Sequence, residues 1–174
     1  MSPLLARIAA PILPPELEQQ FGEWRWFVGD DAEVLCMTLM GDWIFVNREG
    51  AICLLDTMEA TIQVVAPTLE HLELLLDSPD ERDALLLEGL ALAVLAGQRL
   101  PAGHCVGYRV PPVLGGATDK SNLEVARAAS YQWADCTKPF CRFRRTERSL
   151  VWTSPSPEES AYAGSSRSPA AILR

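Results

Sequence analysis
Two histidines, five cysteines and a surplus of carboxylates are the side chains of this 174-residue sequence from which catalysis or metal binding could be built. His71 lies between Glu70 and Glu73 in a helical pattern, the setting of a solvated surface histidine. His104 and Cys105 are adjacent in an extended run, so they point to opposite faces and cannot act as base and nucleophile toward one another. Cys136 and Cys141, with His104 or Cys105, could contribute to a tetrahedral zinc site, but a paired second knuckle is missing. The five thiols, with Cys36 and Cys53, read as small apolar residues, and neither a metal nor a cofactor is expected. Gly115-Gly116 fits no phosphate-binding glycine motif. Asp30, Asp31, Asp42, Asp56 and Asp77 sit mainly where turns form, and there the carboxylate serves the local backbone. No nucleophile, base and orienting group can be assembled, so the chain is expected not to be an enzyme.

The elements that would carry these residues follow from periodicity. Pro14-Pro15-Glu16 opens a helix that ends near Gly22. Four short apolar runs follow between Glu33 and Ala66, separated by Gly41-Asp42, Asn47 to Gly50 and Asp56 to Glu59, and they predict an antiparallel meander. Thr68 caps a helix with Leu69, Leu72, Leu75 and Leu76 on one face, and Ser78-Pro79-Asp80 starts the next. The apolar stretch from Ala84 to Ala96 predicts a central buried helix, stopped by Gly97 and Pro101. Cys105 to Val110 reads as a strand, Pro111 to Gly116 as a loop, and Asn122 to Arg145 as mainly helix. The expected fold class is therefore α+β: an antiparallel meander packed against a central apolar helix, with flanking helices. An N-terminal segment over 1–13, one domain over 14–145 and a flexible Ser/Pro-rich tail over 146–174 complete the division. Trp24 and Trp26 should pack on the sheet, and Gly115 or Gly116 should adopt a backbone closed to other residues.

Charge narrows the partners. Lys and Arg number 15 against 23 Asp and Glu, for a net charge of −8. Residues 1–100 hold 5 basic and 17 acidic side chains, whereas 101–174 hold 10 and 6. Such a chain repels a nucleic-acid backbone over most of its length, although the same acidity also serves solubility. Arg142, Arg144, Arg145 and Arg148 with Phe140 and Phe143 would be a nucleic-acid stripe in a basic protein, but here they read as the basic end and apolar face of a helix. No apolar run approaches the roughly 18 residues of a membrane span, and Met1 to Ala10, interrupted by Arg7, does not build a secretory leader, so a cytoplasmic location is expected.

Several motifs recur together in one family. They are Glu23-Trp24-Arg25-Trp26, Gly41-Asp42 with Phe45, Gly50-Ala51 with Leu54-Leu55-Asp56-Thr57, Gly97 with Leu100, Cys105, and Pro111-Pro112-Val113-Leu114-Gly115-Gly116 with Asn122. In these, residues 16–135 resemble the C-terminal domain of bacterial immunity proteins that neutralise type VI secretion DNase effectors. That family usually continues with Gly-Gln-x-His in its last helix, where this chain has Asp135 to Phe140. The resemblance implies a non-enzymatic protein that binds and neutralises a cognate toxin, a secreted nuclease effector; the charge balance adds that the toxin is basic and that no direct nucleic-acid contact is expected, and the lack of a long apolar run that no membrane contact is. Asp30, Asp31 and Glu49, in or beside turns at one end of the meander, are the first candidates for the partner surface, because an acidic face can fill a basic cleft. The alternative is a small-ligand or regulatory binding module built on the Pro-Pro-x-Leu-Gly-Gly loop.

Overall fold
A computed structural model describes residues 3–131. Three helices, α1 (Pro3–Ile8), α2 (Pro14–Gly22) and α3 (Arg25–Val28), precede four strands, β1 (Glu33–Met37), β2 (Trp43–Val46), β3 (Ile52–Asp56) and β4 (Thr61–Ala66). These pair antiparallel in the order β1-β2-β3-β4, the meander that the apolar runs and their turn residues predict. Next come α4 (Leu69–Asp77), α5 (Pro79–Leu86) and α6 (Glu88–Leu95), and then the strands β5 (His104–Tyr108) and β6 (Leu123–Arg127), which pair with each other as a second antiparallel sheet. The chain is α+β.

Alternation along the strands feeds two cores. Trp43, Phe45, Cys53 and Leu55 face Phe21, Trp24 and Phe27 from α2 and α3, together with Cys105 and Tyr131. Their neighbours Ile44, Ile52 and Leu54 face Leu5 and Ile8 of α1, Leu72 and Leu76 of α4, and Leu86 of α5. A sheet covered on both sides explains why β2 and β3 read as continuous apolar runs. Trp24 is fully buried in the first core and Trp26 packs partly buried against it, as expected. Residues 1–13, set apart in the sequence as a separate segment, contain α1, which contributes Leu5 and Ile8 to the core. The Leu39 N–H also donates to the Ile8 carbonyl at 3.0 Å and ties that segment to the end of β1.

The helix caps follow the sequence. Thr68 Oγ1 accepts the His71 backbone N–H, and Ser78 Oγ accepts that of Glu81. Two expectations change. The run from Ala84 to Ala96 is not one helix: Leu87 takes a left-handed conformation, φ 52°, and separates α5 from α6. The break is held by a buried ion pair across it, Arg82 Nε to Glu88 Oε2 at 2.6 Å, and by Asp83 Oδ1, which accepts the Gly89 N–H at 2.8 Å. α6 consequently buries Ala91 and Leu95 with Val106 and Leu123 of the second sheet and leaves Leu92 exposed. The second change is at Leu123–Arg127, read as helix and found as β6. There, pairing with β5, from His104 with Arg127 to Tyr108 with Leu123, overrides the helical spacing, and helix begins only at 128–131. The expectations for Cys136, Cys141, the arginine cluster and the tail over 146–174 lie outside the described residues.

Candidate functional site
The β1–β2 and β3–β4 turns share one end of the meander, and the register sets their carboxylates side by side. Trp43 pairs with Leu55, so Asp42 and Asp56 are the next residues on adjacent strands, although 14 positions separate them in sequence. Asp56 behaves as a turn aspartate: its Oδ1 accepts the N–H groups of Met58 at 2.8 Å and Glu59 at 2.9 Å. Asp42 does not serve its own turn. Its Oδ1 reaches across to Thr57 and accepts the backbone N–H at 2.9 Å and the hydroxyl at 3.1 Å. Thr38 organises the near side, with its N–H on the Asp42 carbonyl and its Oγ1 accepting the Asp42 N–H, while Gly41 closes the turn at φ 89°.

These turns form one side of a cavity of about 630 Å³. Asp42, Asp56 and Glu59 supply carboxylates, Tyr108 and Tyr131 supply rings, and Met40, Met58, Leu87 and Pro112 complete an apolar wall. The Tyr131 hydroxyl donates to Met58 Sδ at 3.2 Å. Its ring rests on two glycines, since a Cβ at Gly107 would overlap it and one at Gly41 would lie 2.9 Å from Cε1. Burial first, and the Asp56 charge second, push the Asp42 carboxyl up to about 7, against the pull of the two Thr57 hydrogen bonds. Burial, aided by the Asp42 charge, also raises Tyr108, Tyr131 and the Cys105 thiol, the last to about 12. Cys105 is thus an inert thiol under the site, and His104, across the strand, is only partly buried. No group of three or more His, Cys, Asp or Glu side chains able to hold a metal occurs among the described residues.

The Pro111–Gly116 loop forms the rim. Pro112–Leu114 is a single tight turn closed by Gly115 at φ 88°, which is the glycine that needs the left-handed region. Gly116 is required for space instead, because a Cβ there would overlap the Val110 carbonyl and approach Asn122. Asn122 holds the loop with three bonds: Nδ2 donates to the carbonyls of Val110 and Ala117, and Oδ1 accepts the Val110 N–H. Leu114 projects outward with 70% of its surface exposed.

Part of the motif set gathers here, while Gly50-Ala51 lies in the β2–β3 turn at the other end of the sheet. Asp42, Asp56 and Pro112 line the cavity, Gly41 lies against the Tyr131 ring, Leu55 is buried, and Pro111, Leu114, Gly115 and Gly116 belong to the loop that reaches the cavity through Pro112 and is anchored by Asn122. Asp30, Asp31 and Glu49 are exposed at the opposite end of the sheet, where Glu33 pairs with Val46 before the β2–β3 turn. Sequence spacing did not point to Met58, Leu87, Tyr108 or Tyr131, since each joins the site through pairing or a backbone break. The signal that was available is the pair Gly41 and Gly107, glycines at strand ends that leave room for a ring.

No family model matches the chain, and no curated protein matches it. Among solved structures it is similar to the crystal structure of Atu4351 from Agrobacterium tumefaciens, with a TM-score of 0.47 and 15% sequence identity over 71% of this chain and 69% of that one.

Proposed function
We propose that this chain is a non-enzymatic immunity protein that binds a basic toxin, a secreted nuclease effector of the type VI class, in the cytoplasm of the cell that makes it. One observation carries the reading. The cavity gathers three carboxylates, and no Lys, Arg or His lines it among the described residues. An acidic recess bordered by exposed apolar side chains is complementary to a basic side chain that projects from the surface with which a nuclease binds a phosphate backbone, and a protein seated there blocks that surface to DNA. The exposed rim residue Leu114 and the partly exposed Leu87 supply the apolar contact that charge steering alone does not provide.

The test is inhibition of a nuclease encoded beside this gene, with purified proteins and with co-expression in cells. Stoichiometric inhibition whose association rate falls steeply with salt is expected. Two sets of variants locate the face: Asp42→Asn with Asp56→Asn at the cavity, and Asp30→Lys, Asp31→Lys with Glu49→Lys at the other end. Loss of inhibition in the first set places the toxin at the cavity, and loss in the second places it on the distal turns. A neighbouring nuclease that the chain neither binds nor inhibits overturns the reading.

A second reading, a small-ligand module using the Pro-Pro-x-Leu-Gly-Gly loop, is supported by Pro112 and Thr118 in the cavity wall and by a volume typical of small-molecule sites. Saturable binding of a small molecule with no effect on any toxin would favour it.

A further inference from the structure
The cavity has a composition that a protein–protein contact alone does not require. Its walls are aromatic, thioether and aliphatic, and its carboxylates come from two neighbouring turns. The hydrogen bonds to Asp42 fall on Oδ1, as do those to Asp56. Among the described residues no hydrogen bond falls on the second oxygen of either carboxylate, which leaves it for a donor that enters the cavity. The groups around Asp42 are Asp56 at the end of β3, Glu59 in the β3–β4 turn, Tyr108 and Cys105 on β5, and Tyr131. All of these are acids, so nothing among them neutralises the floor. Tyr131 is fixed by construction, seated against two glycines, and Leu87 is held in a left-handed conformation at the wall by the ion pair behind it. The glycines thus set the position of one wall and the helix break that of another. Carboxylates beside aromatic rings and a thioether suit an organic cation: several N–H donors for the carboxylates, and a weakly hydrated or alkyl portion for the rings and Met58.

We infer that the cavity is a binding site for an alkylguanidinium or alkylammonium group, held by Asp42 and Asp56 with its apolar stem against Met58 and the tyrosines. The inference rests on the cavity being the binding face. The same cation chemistry arises from a basic side chain of the toxin or from a free amine. Because the empty site favours a protonated Asp42 and the cation favours its carboxylate, binding releases a proton.

The probe is n-butylguanidinium, with N-butylurea as its neutral counterpart. The full chain is titrated to concentrations on the order of 10 mM and followed by the ring signals of Tyr108 and Tyr131. Saturable shifts with butylguanidinium and none with butylurea are expected. Asp42→Asn and Asp56→Asn keep the Oδ1 acceptor for the turn bonds, and each should weaken binding about tenfold. Wild-type affinity should rise about tenfold between about pH 6 and pH 8, and in Asp42→Asn this slope should flatten. Absent or equal binding of the two probes overturns the site, as does unchanged affinity in a folded Asp42→Asn, Asp56→Asn double variant. Such a failure would leave wild-type nuclease inhibition, measured separately, unaffected. If butylguanidinium competes with the toxin, the natural cation is a toxin side chain; binding without competition assigns it to a free amine.

Discussion

The carboxylate of Asp42, in the first turn of the meander, is bonded twice to Thr57 in the third, through the backbone N–H at 2.9 Å and the hydroxyl at 3.1 Å. Two turns that never meet in sequence are joined by a side chain that burial holds near neutral pH in its titration.

Asp42 should therefore make stability fall as pH rises. Its carboxyl titrates from 3.8 in the unfolded chain to about 7 in the folded one, so between these values the folded state keeps a proton that the unfolded state has lost. Asp42→Asn cannot ionise and should gain about 1–2 kcal/mol over the natural protein at about pH 8, with that pH-dependent gain gone near pH 4; partial access to solvent reduces the effect below its full linkage value. Urea unfolding at the two pH values measures it. A gain independent of pH would contradict the assignment.

Gly107→Ala drives a methyl into the Tyr131 ring. It should cost about 1–3 kcal/mol, as overpacking in a filled core does. Replacing Tyr131 by Ala in the same chain should restore part of that loss, and a double-mutant cycle should show coupling between them. Additive losses would mean that the glycine answers to backbone conformation alone.

Removing the Glu88 side chain strands the Arg82 guanidinium, which also donates to the carbonyls of Leu76 at 2.5 Å and Asp77 at 3.0 Å. Glu88→Ala should destabilise by about 3–5 kcal/mol. The paired replacement Arg82→Met with Glu88→Leu should cost much less, since no buried charge is then left alone. Chemical denaturation of the single and the double variant decides, and equal losses in the two would contradict this account.

Asn122→Ala removes the three bonds that hold the rim loop. A loss of about 1–3 kcal/mol is expected, concentrated in the loop. Hydrogen exchange should accelerate at the Gly115 and Gly116 amides and stay unchanged at Ala51, in the turn at the far end of the sheet. Uniform acceleration would show that Asn122 supports the whole domain.

The meander was legible because alternation and turn chemistry agree between Glu33 and Ala66, and the caps at Thr68 and Ser78 because their hydroxyls act locally. The apolar run through Leu87 was not legible as two helices, because the partners that hold the break, Arg82 with Glu88 and Asp83 with Gly89, exist only once the chain has turned. Leu123–Arg127 misled for a related reason: its spacing suits a helix, and only β5 decides otherwise. At the site, Asp42 and Asp56 were visible as turn aspartates. Their approach is a matter of register, and a spacing argument does not contain it.

The order β1-β2-β3-β4 also has a kinetic side. Each strand pairs with its neighbour in the chain, so the meander closes short loops and can form early, whereas the second sheet must return from beyond Ala102 to bond Val106 N–H to the Leu39 carbonyl at 2.7 Å. Asp42, Asp56 and Met58 come from the part that closes first, and Tyr108, Pro112 and Tyr131 from the part that docks later. The recess is accordingly absent from any partly folded form in which only the meander has assembled. A molecule that occupies it acts as a clasp between two folding units and slows the departure of the second from the first.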